Sequence, residues 1–420
     1  MKKTILALLA GGALVLGAFS MGQGNHATAA PAAFKDVPAS HWAKNAIDDA
    51  VSKGYLKGEG NGNFRPNAAV TRAEFAAILD RVSTNELQTD AGAETFADLA
   101  GHWSEKEVSE AAGKGFFQAS DYPGGFKPNT PLTRVEMAKW MATGLAAKDA
   151  DYKTALKDTI DTLVPVAEYY KGGLGKAEYP YVSVVLGTGL MTGYTDGSFG
   201  PDKNTTRAEV ATILMRFENV QNQKANSFRD LNEMREVGLT GSNLESLTPH
   251  RYVINAQTKE KYSFDRVRDL SMNLTRNLGT EIIHRMIIVD ANADKTTNNL
   301  YGEMFVDKDF DRPFQTDRYL VFIDVTVTPS TGNLDNLAFG SANSNVFLNG
   351  FSFSTGTQKT FGITPLPAGK HYVLDGFFIK DKPVRFWMGR SLNKEIILGD
   401  DNGNFFNIGN EVVSFKIPQE

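Results

Sequence analysis

The chain contains no cysteine among its 420 residues. Disulfides, thiolate metal sites, cysteine nucleophiles and acylation of a lipoprotein-type cysteine are therefore excluded. It also lacks a basic excess: 44 Lys and Arg stand against 49 Asp and Glu, a formal charge of −5, without the electrostatic footprint of a nucleic-acid binder. Histidine is scarce, at six residues, and no H-E-x-x-H or G-x-S-x-G signature occurs, so the local marks of a zinc hydrolase or of a nucleophile-elbow serine hydrolase are missing. Long hydrophobic runs are missing too. The apolar stretch 5–19 is shorter than the ~20 residues of a spanning helix and follows Lys2-Lys3, which reads as a signal peptide over residues 1–29. Ala27 and Ala29 form an Ala-x-Ala cleavage site, placing the mature start at Ala30. Its removal takes away two lysines and no acid, moving the charge from −5 to −7.

What is present is ordinary in composition, 41% hydrophobic and 22% charged, and long enough for two or three domains. Within it lies a repeat. Thr71-Arg72-Ala73-Glu74, Thr133-Arg134-Val135-Glu136 and Thr206-Arg207-Ala208-Glu209 are three copies of T-R-x-E. Apolar residues follow each at helical spacing: Phe75, Ile78, Leu79 and Val82, then Met137, Trp140 and Met141, then Val210, Ile213, Leu214 and Phe217. Thr as N-cap with Glu three residues on is a capping box, so three helices start at equivalent places. A Phe-x-Pro turn precedes each box, at Phe64-Arg65-Pro66, Phe126-Lys127-Pro128 and Phe199-Gly200-Pro201. Glycines 54, 115 and 189 stop a preceding helix, lying 17, 18 and 17 residues before the boxed Thr.

The first two repeats open on Phe34-Lys35-Asp36-Val37 and Phe96-Ala97-Asp98-Leu99, followed by His41-Trp42 and His102-Trp103. The third has no such opening and carries Tyr179-Pro180-Tyr181 in place of His-Trp. Phe228-Arg229-Asp230-Leu231, just after repeat three, reads as a displaced third Phe-x-Asp element closing the ring.

Residues 34 to about 231 resemble a triplet of S-layer homology domains, on the Phe-x-Asp, His-Trp, Gly-stop and T-R-x-E elements at fixed spacing. The resemblance implies an all-α, pseudo-threefold bundle. It further implies non-covalent attachment of an exported protein to the cell wall through a secondary wall polysaccharide whose ketal-linked pyruvate offers a carboxylate. The boundaries are then 30–90, 91–147 and 148–220 for the repeats, 221–248 for a linker or closing segment, and 249–420 for a β-rich domain of unrecognised family.

The residues themselves fit such a ligand. An arginine directly after an N-cap sits where backbone N–H groups and the helix dipole favour an anion, and a guanidinium takes a carboxylate in two parallel hydrogen bonds. Arg72, Arg134 and Arg207 are the candidate anion ligands, and truncating Arg72 or Arg134 is expected to weaken glycan binding by roughly 1.5–3 kcal/mol. Glu74, Glu136 and Glu209 are cap partners. Trp42 and Trp103 offer flat faces to sugar C–H surfaces, while Asp36 and Asp98 accept from sugar hydroxyls or cap the first helix. His41 and His102 are structural neighbours of the tryptophans. No catalytic residue, metal or cofactor is called for: this is multivalent adhesion, in which several weak sites raise avidity by about 10²- to 10⁴-fold. With no lipid-bearing cysteine, no spanning helix in the mature chain and no covalent sorting signal beyond a faint Leu366-Pro367-Ala368-Gly369, attachment is expected to be non-covalent.

The C-terminal half changes pattern. Residues 319–328 alternate Val321, Ile323, Val325 and Val327 against Asp324, Thr326 and Thr328, a half-buried strand. Further runs at 281–289, 346–353, 372–379, 384–388, 394–398 and 412–417 make an all-β, sandwich-like domain the expectation. Glu281 and His284, three apart, should point to opposite faces. Asp290, Asn292 and Asp294 mimic the start of a calcium loop without its glycine or terminal Glu, and Asp307, Asp309 and Asp311 form a second acidic cluster. The expected role is that of a secreted surface protein at the wall, presenting an interaction domain that can self-assemble or accompany an S-layer. A wall-anchored glycan hydrolase, using carboxylates in the C-terminal half, is the alternative.

Overall fold

The computed structural model describes residues 34–87, 96–292, 297–307, 317–332, 334–342, 355–367, 376–395, 404–408 and 411–418. The signal-peptide segment 1–29 and the strand expected at 346–353 lie outside them. The N-terminal part is helical: α1 (Lys44–Ser52), α2 (Arg72–Val82), α3 (Glu105–Gly113), α4 (Arg134–Lys148), α5 (Ala150–Asp158), α6 (Ala167–Lys171), α7 (Tyr179–Gly187) and α8 (Arg207–Val220). Gly54, Gly115 and Gly189 each take the left-handed conformation after the first helix of a repeat, with φ of 74°, 87° and 68°, a conformation open to glycine at little cost.

The second helix of each repeat packs on the first helix of the next, α2 on α3, α4 on α7 and α8 back on α1. Backbone hydrogen bonds close the same cycle at its centre. Leu132 N donates to Val70 O (2.8 Å), Val70 N to Thr205 O (3.0 Å) and Thr205 N to Leu132 O (2.9 Å). A continuous apolar core joins the repeats, with Trp140 fully buried and its ring 4.2 Å from that of Phe117.

The segment 221–248 is not a linker. It holds α9 (Arg229–Thr240) and α10 (Leu244–Leu247), and α9 packs on α7 and α5 while burying Leu231, Glu233, Met234 and Val237. Phe228 and Asp230 thereby start a helix in which Asp230 pairs with its neighbour Arg229, and the displaced Phe-x-Asp reading is corrected below.

The C-terminal part carries β-sheets: β1 (Arg251–Tyr252), β2 (Ser271–Asn273), β3 (Gly279–Val289), β4 (Arg318–Pro329), β5 (Val384–Asn393), β6 (Asn404–Ile408) and β7 (Glu411–Lys416). They form an antiparallel sheet in the order β2-β3-β4-β5 and a three-stranded sheet in the order β1-β7-β6. The all-β expectation needs correction, because α11 (Gly302–Phe305), α12 (Asn336–Ala342) and α13 (Thr355–Phe361) are helical. One face of the larger sheet packs with Val413 and Phe415 of the smaller one and with Phe339 of α12.

The other face is covered by the helical part. Ile287, Val289, Phe322 and Trp387 share a buried cluster with Leu163, Met234 and Val237. Asp324, read as facing solvent, is therefore fully buried. A buried carboxylate requires partners, and Asp324 has two: Arg385, at 2.6 and 2.8 Å, and Arg285, at 3.3 Å. Polar contacts extend across the junction. Arg285 donates to Tyr169 Oη (2.8 Å), Tyr301 Oη–H to Leu163 O (2.9 Å) and Trp387 Nε1–H to Tyr170 Oη (3.0 Å).

Candidate functional site

The centre of the ring determines what the three T-R-x-E segments can do. Thr71 and Thr206 form full capping boxes: each hydroxyl accepts from the N3 backbone N–H, and Glu74 and Glu209 accept from the N-cap N–H. At Thr133 the box is half made, because Glu136 turns instead to Arg72 and Tyr122. The next N–H groups of each helix are also taken. Arg72 N and Ala73 N donate to Thr130 O and Pro128 O, Arg134 N and Val135 N to Lys203 O and Pro201 O, and Arg207 N and Ala208 N to Ala68 O and Pro66 O. The expectation that these helix ends offer free N–H groups to an anion is thereby overturned: the neighbouring repeat's turn already occupies them.

The three arginines reach across the same junctions and meet different surroundings. Arg72 donates from Nε to Glu136 Oε1 (2.8 Å) and from Nη1 to Phe126 O (2.9 Å), with its guanidinium 5.0 Å from the Tyr122 ring centre. Arg134 is only 4% exposed. It donates to Phe199 O, Thr192 O and Glu209 Oε1 at 2.8, 2.7 and 3.3 Å, under the Tyr194 ring at 4.7 Å. Arg207 donates to Phe64 O (2.8 Å) and Lys57 O (2.6 Å), but among the described residues it has no ion pair. Burial pushes its guanidinium pKa down, while the more distant Glu74 and Glu59 act against this.

A loop difference explains the contrast. Tyr122 and Tyr194 hold the glutamates beside Arg72 and Arg134, donating to Glu136 Oε1 (2.8 Å) and Glu209 Oε1 (3.1 Å). Repeat one carries Glu59 and Gly60, not a tyrosine, five and four residues before the phenylalanine of its turn. Glu59 of that loop turns outward to Arg65 (3.0 Å), and Glu74 is held in its capping box. The two tyrosines were not singled out in the sequence; their place four or five residues before the turn phenylalanine was the available signal.

Asp36 and Asp98 are held by the backbone of their own repeats' turns. Asp36 accepts from Phe64 N (2.8 Å) and Arg65 N (2.7 Å), and Asp98 from Phe126 N (3.0 Å) and Lys127 N (2.7 Å). These bonds hold Arg65 and Lys127 at φ of 59° and 54°, a region that non-glycine residues seldom adopt. Burial acts to raise both carboxyl pKa values, but the backbone N–H groups outweigh it and both lie below the ordinary 3.8. In repeat three the role belongs to Glu168, which accepts from Phe199 N (2.9 Å) and Gly200 N (2.8 Å). Val166-Ala167-Glu168 is thus the missing opening, and Asp230 has no part in it. Glu168 escaped notice because a longer acid stands behind a valine rather than a phenylalanine.

Trp42 and Trp103 are 65% and 59% exposed. Each stands two residues ahead of its helix, beside a histidine ring 5.8 and 5.6 Å away. His41 Nδ1 accepts from Ala43 N (3.1 Å), and His102 Nδ1 bonds Ser104 Oγ (2.9 Å), so the histidines fix the turn that presents the indoles. The same count from α7 leads to Ala177, not to Tyr181, which corrects the alignment of the third repeat.

The C-terminal candidates do not gather into a reaction centre. Glu281 is buried, and His284 bonds Asp269 and Thr326. Thr326 lies in mid-β4, paired with Ile282 on one side and Arg385 on the other, so the ladder takes the local amides that an oxyanion would need. Asp290 is held by Lys394 and Asn298 rather than left open to a cation. Asp294, Asp309 and Asp311 lie outside the described residues. Among the described residues, no group of His, Asp and Glu is arranged to hold a metal ion, and no helix is long and apolar enough to cross a membrane.

The model of the S-layer homology domain matches residues 33–76, 95–138 and 175–211; the chain carries three such repeats. It is 31% identical over 188 residues to the S-layer protein sap of Bacillus anthracis and 29% identical over 188 residues to an S-layer protein of Bacillus thuringiensis subsp. finitimus. Each match covers 45% of this chain and 21% of the relative. It is 33% identical over 108 residues to a cellulosome-anchoring protein of Acetivibrio thermocellus, covering 24% of each. The aligned part spans less than a quarter of the length of these relatives. The matches indicate a secreted, cell-wall-associated surface protein.

Proposed function

We propose that the ring is a pseudo-threefold anchor that binds an acidic secondary cell-wall polysaccharide, and that the C-terminal half is the part displayed. The observation that carries this reading is the pair of exposed indoles, Trp42 and Trp103, projecting from equivalent places on one rigid body. The same residue left this far in water at the same place in two repeats is free to pack its flat indole face on the C–H face of a sugar. Arg207 is the best placed of the three arginines to take a carboxylate, because among the described residues no carboxylate pairs with it. Arg72 can exchange Glu136 for a ligand only at the expense of an existing ion pair. Arg134 serves the fold.

Adhesion of this kind needs no chemistry and gains strength from several sites acting together. The S-layer and cellulosome-anchoring proteins among the relatives favour attachment as the role of the ring. The apolar and polar junction described above would hold the displayed half at a fixed angle to the wall. The test is co-sedimentation of the full chain with purified wall polysaccharide. Trp42→Ala with Trp103→Ala should lower retention at least about tenfold while the folding free energy stays within about ±0.5 kcal/mol, as expected of exposed positions. Undiminished retention would sink the reading.

A further inference from the structure

Helix α9 meets the ring and the sheet in different ways. Towards the ring its backbone is in close contact. A Cβ placed on Gly187 of α7 would stand 2.6 Å from Leu231 Cα, and one on Gly238 of α9 would stand 1.9 Å from Asp158 O, approaches that only glycine permits. Towards the sheet α9 presents Glu233, which is fully buried.

Glu233 Oε2 accepts from Asn243 Nδ2 and Asn299 Nδ2, both at 3.2 Å, and the same two amides donate to Ile288 O of β3 at 2.9 and 3.2 Å. Asn243 Oδ1 in turn accepts from Ile288 N (2.7 Å). The carboxyl is thus the ring's side of a polar node whose other side is the backbone of the larger sheet. Its second oxygen, Oε1, has no hydrogen-bond partner among the described residues. Arg229 Nε lies 3.8 Å away, on an exposed side chain that also pairs with Asp230. An ionised carboxylate draws its donors to about 2.7–2.9 Å, and both bonds to Glu233 are longer. A buried carboxyl without a hydrogen-bonded cation favours its protonated form. Burial pushes the Glu233 carboxyl up to about 7, against the two asparagine bonds.

The other charges around α9 are already engaged. Asp151 and Asp158 of α5 pair with Arg235, Glu245 of α10 with Lys261, and Asp290 after β3 with Lys394. Arg285 holds Asp324, Arg266 holds Glu411 and Glu260, and Arg268 donates to Gly238 O and Asp161 O. Asp265 bonds Ser263, Tyr301 donates to Leu163 O, and Glu303 of α11 is exposed. The titratable residues of α7 are Tyr179 and Tyr181. Glu236, a turn along α9 and near Tyr252, is also raised to about 7 by burial. It accepts from Glu245 N (2.9 Å) and Ser246 N (2.7 Å), so it caps α10 and does not bridge to the sheet.

We propose that the contact between α9 and the larger sheet is a proton-controlled latch: protonated Glu233 joins the ring to the C-terminal half, and its ionisation loosens that contact. The inference is independent of what the ring binds. Tyr169 with Arg285 and Tyr170 with Trp387 still bridge the junction, so the release is local. The carboxyl has its ordinary value of 4.5 in water and about 7 when enclosed. The latch's contribution is therefore fully present below pH 4.5 and lost as the pH rises through 7. Those two values make opening about tenfold more frequent at pH 8 than at pH 6.

Hydrogen exchange of the full chain, followed by mass spectrometry at pH 6 and pH 8 and divided by the intrinsic chemical rates, measures this opening. Peptides covering β3 should lose about tenfold in protection from pH 6 to pH 8. Those covering Val70, Leu132 and Thr205 at the ring centre should keep theirs. Glu233→Gln retains the shape and an acceptor for the asparagines but cannot ionise, and should hold β3 at its pH 6 protection throughout. Glu236→Gln should leave the fall in place. Equal protection at both pH values, an equal fall at the ring centre, a fall that persists in Glu233→Gln or one that Glu236→Gln abolishes overturns the proposal. The unsubstituted chain supplies the first two comparisons, so the outcome does not depend on a variant folding.

Discussion

Arg134 and Arg207 hold the same position in successive repeats, directly after the N-cap threonine, yet one is part of the core and the other is held only by backbone carbonyls. Arg134 is buried, with two carbonyls and Glu209 filling its donors beneath Tyr194. Arg207 has two carbonyls and the Phe64 ring, at 4.5 Å, and among the described residues no carboxylate. The difference lies 58 to 150 residues away in sequence, in the loop that each arginine meets. A motif residue acquires its role from the partner repeat, so equal motifs do not imply equal sites.

Substitutions should separate the two roles. The largest effect is expected for Arg134→Ala, which leaves two carbonyls without their donor and empties a buried site beneath Tyr194; removing the buried partner costs about 3–5 kcal/mol, readable by urea denaturation. Stability loss below 1 kcal/mol would show that the buried pairing is not what distinguishes the two arginines. Next comes Arg207→Ala, expected to lower affinity for the wall polysaccharide by roughly 1.5–3 kcal/mol while costing less stability than Arg134→Ala. Calorimetric titration alongside denaturation measures both, and the reverse order of effects would dissolve the comparison.

The smallest effect concerns what both junctions share, the carboxylates that set the Phe-x-Pro turns. The pKa values of Asp36 and Asp98 are lowered in the fold from 3.8. Their contribution is therefore fully present above pH 3.8 and fades as the pH falls through the lowered folded values. Asp36→Asn with Asp98→Asn should flatten that acid limb of the stability profile between about pH 5 and 2. An unchanged limb would assign acid sensitivity to other groups.

Much of the helical half was readable in the sequence because its signals are local. A capping box spans four residues, a glycine stop one, and the Phe-x-Pro turn three, so the repeat boundaries follow from short-range geometry. The exposed tryptophans stood out for the same reason. Glu168 and Ala177 were misplaced because the insertion that carries α5 breaks the spacing on which the other repeats were aligned. In the C-terminal half, β3, β4, β5 and β7 were anticipated from alternation, whereas the helices α11 to α13 were not. Alternation also sent Asp324 to solvent, although Phe322 on the same face hinted at cover.

By itself the sequence determined where the three T-R-x-E helices begin and that a threonine caps each, since both depend on neighbours within a few positions. Tertiary structure alone decided that Arg134 is spent on the fold, that Arg207 meets no carboxylate among the described residues and that Asp324 is buried between two arginines. Burial and pairing are properties of surfaces brought together from distant parts of the chain, and a carboxylate or guanidinium takes its role from what covers it.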